Sequence, residues 1–167
     1  MCGLAGYIGT MPPDNSRVAL ALVGMAHRGP DGTGEFREEL PDGRSVVILH
    51  TRLSILDTTE LAAQPFHSGD TVLSFNGEIF NYRELRDDLC AQGAKFRSDG
   101  DTEVLSQLLV REKIDALDRC EGMWAFAFYS RSDRTLILSR DRFGEKPLYL
   151  FRTLEGLYFA SEIKTLR

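Results

Sequence analysis

Cysteine and histidine are scarce, with three of each in 167 residues. Cys2, Cys90 and Cys120 are odd in number and far apart, which excludes a disulfide framework. His27, His50 and His67 form no close pair with one another or with a cysteine, so no structural zinc or other metal site is expected. No apolar run is long enough to span a membrane, and the N-terminus lacks the basic and apolar regions of a signal peptide. Basic residues are outnumbered, 20 against 25 acidic ones, for a net charge of −5. That balance argues against nucleic acid or an anionic membrane as the main partner. Internal repeats, low-complexity tracts, linkers and a phosphate-binding glycine loop are all missing. What is present is 43% hydrophobic residues in a length suited to one globular domain, expected in the cytoplasm.

The pattern along the chain is mixed. Residues 2–8 read as a strand, and Pro12-Pro13-Asp14-Asn15 as a turn. Asn15 or Ser16 is placed to cap a helix over 17–26 that is buried along most of its face. His27 to Gly32 is a loop; 34–38 and 45–53 are strands joined by the turn Pro41-Asp42-Gly43. Residues 56–70 look irregular, and a strand over 71–75 runs into Asn76-Gly77-Glu78. Asn81 with Glu84 forms a capping-box variant opening a helix with Tyr82, Leu85 and Leu89 on one face. A second helix, 103–112, carries Val104, Leu105, Leu108 and Leu109 at helical spacing, with Asp101 just before it. A short helical turn follows at 114–118, then strands over 123–129, 135–140, 147–152 and 157–160. The strands are too closely spaced for βαβ crossovers, so the fold class is α+β: antiparallel sheets with helices packed outside them.

Met1-Cys2-Gly3-Leu4-Ala5-Gly6 carries the first chemical signal. Removal of Met1 would leave one residue holding both a thiol and a free α-amine. Such an amine has a reference pKa of about 7.7–8.0, so it can serve as the base for its own thiol. The plainer reading is a small residue buried at the start of a strand.

Several motifs in order carry a family resemblance: Met1-Cys2-Gly3, His27 to Gly32, Arg52-Leu53-Ser54-Ile55, Gln64-Pro65, Phe75 to Asn81, Asp101-Thr102-Glu103, Gly122-Met123, Arg140 to Gly144, Lys146-Pro147-Leu148-Tyr149 and Phe159 to Lys164. Together they resemble the N-terminal glutaminase domain of glutamine-dependent asparagine synthetases. That is a class II glutamine amidotransferase with the N-terminal-nucleophile hydrolase fold. The resemblance implies a four-layer αββα sandwich over residues 1–167, with Cys2 on an inner strand. It implies L-glutamine as substrate and no cofactor in this domain. ATP and magnesium would belong to a synthetase domain, absent from this chain, that accepts the ammonia, and a homodimer is left open. Phe80 stands where the family usually has tyrosine.

Hydrolysing the side-chain amide of glutamine needs a nucleophile, a base, oxyanion donors and a grip on the amino-acid head. Cys2 fits the first two roles. Asn76 and Gly77 fit the third, although Asn-Gly is also a hairpin signature. Here a strand precedes the pair and a helix follows, which suits a hairpin poorly. Arg52 is the candidate for the substrate carboxylate, against a plain surface salt bridge. By resemblance, backbone groups of Leu53 and Ile55 face the substrate. Asp101, with Glu78 nearby, is the candidate for the ammonium. It also reads as a helix N-cap, a position that would lower its pKa and keep it charged. Arg28 and Asp31 are given supporting roles, and Arg140-Asp141-Arg142 reads as a structural ion-pair cluster. Two functions stand: a glutaminase making glutamate and ammonia, or an inactive module that senses glutamine or scaffolds a synthetase.

Overall fold

The computed structural model describes residues 1–166; Arg167, the last residue of the expected domain, lies outside them. Among the described residues, nine strands form two sheets in which every pairing is antiparallel. The first sheet contains β1 (Gly3–Gly9), β2 (Gly32–Glu39), β3 (Ser45–Arg52), β8 (Tyr149–Arg152) and β9 (Gly156–Ala160), in the order β2-β3-β1-β9-β8. The second contains β4 (Phe66–Ser68), β5 (Thr71–Ile79), β6 (Gly122–Ser130) and β7 (Thr135–Arg140), in sequence order.

Alternation along the strands builds three cores and four layers. Leu4, Val46 and Ile48 of the first sheet meet Val72, Ala125 and Tyr129 of the second between the sheets. On the outer face of the first sheet, Tyr7, Val47 and Leu49 pack against Val18 and Met25 of α1 (Asn15–Met25). On the outer face of the second, Leu73, Phe75 and Phe126 pack against α2 (Tyr82–Ala91) and α3 (Asp101–Glu112). The spacing of Val104, Leu105, Leu108 and Leu109 puts them all in that last core. The α+β, αββα expectation from the resemblance is met.

Several local expectations are corrected. Asp14, not Asn15 or Ser16, caps α1, with its Oδ1 accepting from the Arg17 N–H at 2.9 Å; such a cap contributes about 1 kcal/mol. That helix buries only Val18 and Met25 and leaves Leu20 and Val23 more than 70% exposed, because a single narrow stripe meets the sheet. Asn81 does not cap α2 with its side chain. It reaches across to donate to the Arg119 carbonyl and accept from the Glu121 N–H. The stretch 56–70 is not wholly irregular: a 3-10 turn at Glu60–Ala62 precedes β4. Of the last two strands, β8 begins later than expected, at Tyr149, and β9 one residue earlier, at Gly156.

Polar links tie the sheets together at both ends. At one end Glu38 of β2 accepts from the Tyr129 hydroxyl at 3.0 Å and pairs with Arg131 at 2.6 Å. Nearer the other, the buried His50 of β3 meets Ser74 of β5 at 2.9 Å. Beyond that second link the strand ends carrying Cys2, Arg52 and Asn76 converge.

Candidate active site

Those strand ends line a cleft of about 180 Å³. It brings together every residue proposed for catalysis or substrate contact, Cys2, Arg52, Leu53, Ile55, Asn76, Gly77, Glu78 and Asp101, while Arg28 and Asp31 lie outside its lining. Met1 lines it too.

Cys2 immediately precedes β1, and its thiol lies against the Leu53 peptide. The Leu53 N–H donates to Sγ at 3.3 Å, and Sγ reaches the Leu53 carbonyl at 3.7 Å. Burial pushes the thiol pKa up, while the Leu53 N–H and the Arg52 charge oppose that shift. Arg28 holds the residue in place by donating from Nε to the Cys2 carbonyl at 3.0 Å, with Nη1 on Glu162 at 3.1 Å. Asp31 accepts from the Ser54 N–H at 2.8 Å. Arg28 and Asp31 therefore support Cys2 and the segment beside it.

Asn76 and Gly77 lie inside β5, paired with Ala125 and Trp124, and not in a hairpin turn. A side chain at Gly77 is impossible, since a Cβ there would stand 2.3 Å from the Met123 carbonyl oxygen. The ladder geometry leaves the Gly77 N–H unspent. Trp124 uses both its N–H and its carbonyl on Asp141, on the side away from β5. Gly77 and Trp124 are thus a non-hydrogen-bonded pair, and the Gly77 N–H points to the outer edge of β5. On that edge Phe75 is satisfied by the Gln64 side chain, and the Ile79 N–H by Asp101 Oδ2 at 3.0 Å. Gly77 falls between them. Next to it, the Asn76 side-chain nitrogen is buried with no hydrogen-bond partner. Two adjacent donors therefore stand without a described partner in the cleft that Cys2 lines, and for the buried Asn76 nitrogen that is costly.

Arg52 is not a surface salt bridge. Its guanidinium donates to the Thr59 carbonyl at 3.0 Å and to the Asp57 carbonyl. Three of its five N–H donors remain for a ligand. Asp57, unremarked in the sequence, carries that link onward: its carboxylate accepts from the Thr59 N–H and from the Asp99 N–H at 2.8 Å. The segment around Arg52 is thereby tied to the turn that leads into Asp101.

Asp101 opens α3 as its first residue; Gly100 occupies the N-cap position. Its carboxylate serves the Ile79 N–H instead of capping. Its pKa is pushed up to about 6, first by burial and further by the Glu78 charge, which outweigh the N–H donors around it. The expected lowering by the helix terminus is therefore overturned. The Arg140-Asp141-Arg142 reading is corrected as well. Asp141 is buried and accepts from the N–H groups of Trp124, Phe143, Glu145 and Lys146. Arg140 donates to the Lys146 and Gly144 carbonyls. This is a loop scaffold and not an ion-pair cluster, because the backbone donors lie closer to the carboxylate than any cation does.

The sequence reading gave no role to several other cleft residues, among them Gln64, Thr102, Met123 and Lys146. Gln64-Pro65 and the Lys146-Pro147 motif were visible in the sequence, but only as matching letters.

Residues 1–167 match the family model described as a glutamine amidotransferase domain. The chain is 39% identical over 173 aligned positions to asparagine synthetase [glutamine-hydrolyzing] 1 of Bacillus subtilis, covering 99% of this chain and 26% of that protein. It is 33% identical to asparagine synthetase [glutamine-hydrolyzing] 3 of Arabidopsis thaliana, covering 99% of this chain and 28% of the relative. It therefore spans about a quarter of the length of these relatives. Among solved structures, glutamine phosphoribosylpyrophosphate amidotransferase from B. subtilis superposes with a TM-score of 0.80 at 22% identity, over 99% of this chain and 43% of that one. That likeness concerns the fold.

Proposed function

Because the chain belongs to the glutamine amidotransferase domain family, we propose that its cleft hydrolyses the side-chain amide of L-glutamine through a thioester on Cys2. The observation that carries this reading is the pair of unspent donors, Asn76 Nδ2 and the Gly77 N–H, lining the same cleft as the Cys2 thiol. Removal of Met1 frees the α-amine of Cys2, which takes the thiol proton. Sulfur then adds to the amide carbon, and the two donors receive the oxyanion. Collapse expels ammonia, protonated by the same amine, and leaves the thioester. Water adds next, the carbon–sulfur bond breaks, and glutamate leaves with the thiol restored.

Arg52 holds the substrate carboxylate and Asp101 its ammonium, with Glu78 beside it and Leu53 and Ile55 along the wall. No cofactor enters these steps. The reading extends to a synthetase domain or partner chain that accepts the ammonia, in keeping with the asparagine synthetase names of the relatives; ATP and magnesium would serve that part and not this cleft. Exposed apolar side chains, Leu20 of α1 and Phe151 of β8, border a second groove of about 370 Å³ and suit such a partner. Three cysteines outside any disulfide fit a reducing, cytoplasmic setting.

The test is ammonia release from glutamine by the protein whose intact mass confirms loss of Met1. Cys2→Ala abolishes release and keeps the folded spectrum. Glutamine binding without any release by the processed wild type would assign the domain to sensing instead.

A further inference from the structure

Lys146 is a side-chain cation of the cleft with no counter-ion among the described residues. It is only 9% exposed and lines the cleft, yet only its backbone is engaged among the described residues. Its N–H donates to Asp141 at 2.9 Å, and its carbonyl accepts from Arg140 at 3.0 Å. The residue is buried as a whole, but its ammonium is not sealed from solvent, and with no counter-ion among the described residues it is placed for an anion that arrives with a ligand. The loop that presents it is firmly built: one buried carboxylate gathers four backbone N–H groups there.

Its position selects which anion. The loop leaves β7 and leads to β8, where Tyr149 pairs with Ala160 of β9, and Ala160 pairs with Ala5 of β1. Lys146 therefore approaches Cys2 from the β9 side. Arg52 approaches from the β3 side, since β1 lies between β3 and β9. Arg52 and Asp101 are joined through Asp57 and form a single grip for the amino-acid head. A substrate held there by its head extends its amide past Cys2 toward the other side.

We propose that Lys146 receives the γ-carboxylate of glutamate, the anion that appears at that end when the thioester is hydrolysed. This rests on the glutaminase reading above. Lys146 is then a specificity-determining residue that favours product over substrate, because glutamine offers a neutral amide at the same point. A charge-assisted hydrogen bond gives a preference of about tenfold or more.

The experiment compares wild type, Lys146→Met and Lys146→Arg in the processed protein. It measures inhibition of ammonia release by glutamate, the KM for glutamine, and direct glutamate binding by calorimetry. The expected result for Lys146→Met is a loss of glutamate affinity of about tenfold, a change in glutamine KM below about twofold, and recovery of most of the affinity in Lys146→Arg. Unchanged glutamate affinity, or an equal loss for both ligands, overturns the proposal. Should Lys146→Met fail to fold, Lys146→Gln is read in the same way. A wild type that releases no ammonia defeats the glutaminase reading by itself, while glutamate calorimetry still decides the role of Lys146.

Discussion

Asp101→Asn is expected to make the protein more stable and less able to bind glutamine. The carboxylate is buried, with a pKa of about 6 against 3.8 for the free side chain. A shift of about 2 pKa units corresponds to about 3 kcal/mol, at 1.36 kcal/mol per unit. The sign follows from proton binding. Between pH 3.8 and about 6 the folded state holds the proton more tightly than the unfolded chain. The ionised carboxylate thus costs stability as pH rises through this window, the full cost is present above it, and none remains well below it. Asparagine keeps an oxygen for the Ile79 N–H and carries no charge. The variant should gain up to about 3 kcal/mol at pH 8 and well under about 1 kcal/mol at pH 4. For a domain of this size the pH 8 gain raises Tm by about 6–12 °C. Paired urea and thermal melts at the two pH values measure it. A variant less stable than wild type at pH 8, or a gain equal at both pH values, refutes the reasoning. In the wild type the same titration should raise the KM for glutamine as pH falls through about 6, since a protonated Asp101 no longer attracts the substrate ammonium.

Asn76→Ala is expected to lower kcat by about 10²–10³ with little change in KM, because an oxyanion donor acts on the transition state. Arg52→Ala should mainly raise KM. It should also speed amide exchange around residues 57–59, whose carbonyls its guanidinium holds; steady-state kinetics and hydrogen exchange separate the two effects. Gly77→Ala should unfold the protein at lower temperature as well as inactivate it, since its Cβ meets backbone atoms of both Met123 and Trp124; a stable, active Gly77→Ala would show that β5 and β6 are not so closely apposed.

Elements fixed by local periodicity were legible from the sequence. Val104, Leu105, Leu108 and Leu109 specify one face of a helix whatever lies opposite, and all four are buried. Asn76-Gly77 could be separated from a hairpin because its neighbours did not suit one, and it proved to be mid-strand. Residues whose roles depend on distant partners were harder to read. Asn81 and Asp101 both look like caps, since Asn and Asp near a helix start usually are. Each instead satisfies backbone groups elsewhere in the chain, at Arg119 and Glu121 and at Ile79. The exposure of Leu20 and Val23 was equally hidden, because an apolar helix does not state how much of it the sheet will cover.

The same distinction separates the two halves of the cleft. Cys2, Asn76 and Arg52 belong to residue types whose chemistry suggests a role before any fold is known. Asp57 and Lys146 do not, because a lone carboxylate or ammonium is ordinarily solvated. Their importance arises only when folding withdraws water. Asp57 then carries the hold of Arg52 across to the segment before Asp101, so that the two side chains are positioned together. Asp141, by gathering the loop around its carboxylate, sets Lys146 in the cleft that Cys2 lines, with no counter-ion among the described residues. A cleft that leaves the buried Asn76 nitrogen without a partner is less stable than one in which a ligand supplies it. That nitrogen, Gly77 and Lys146 all line one cleft, and a ligand with a carbonyl at its centre and an anion forming at its far end would engage each of them.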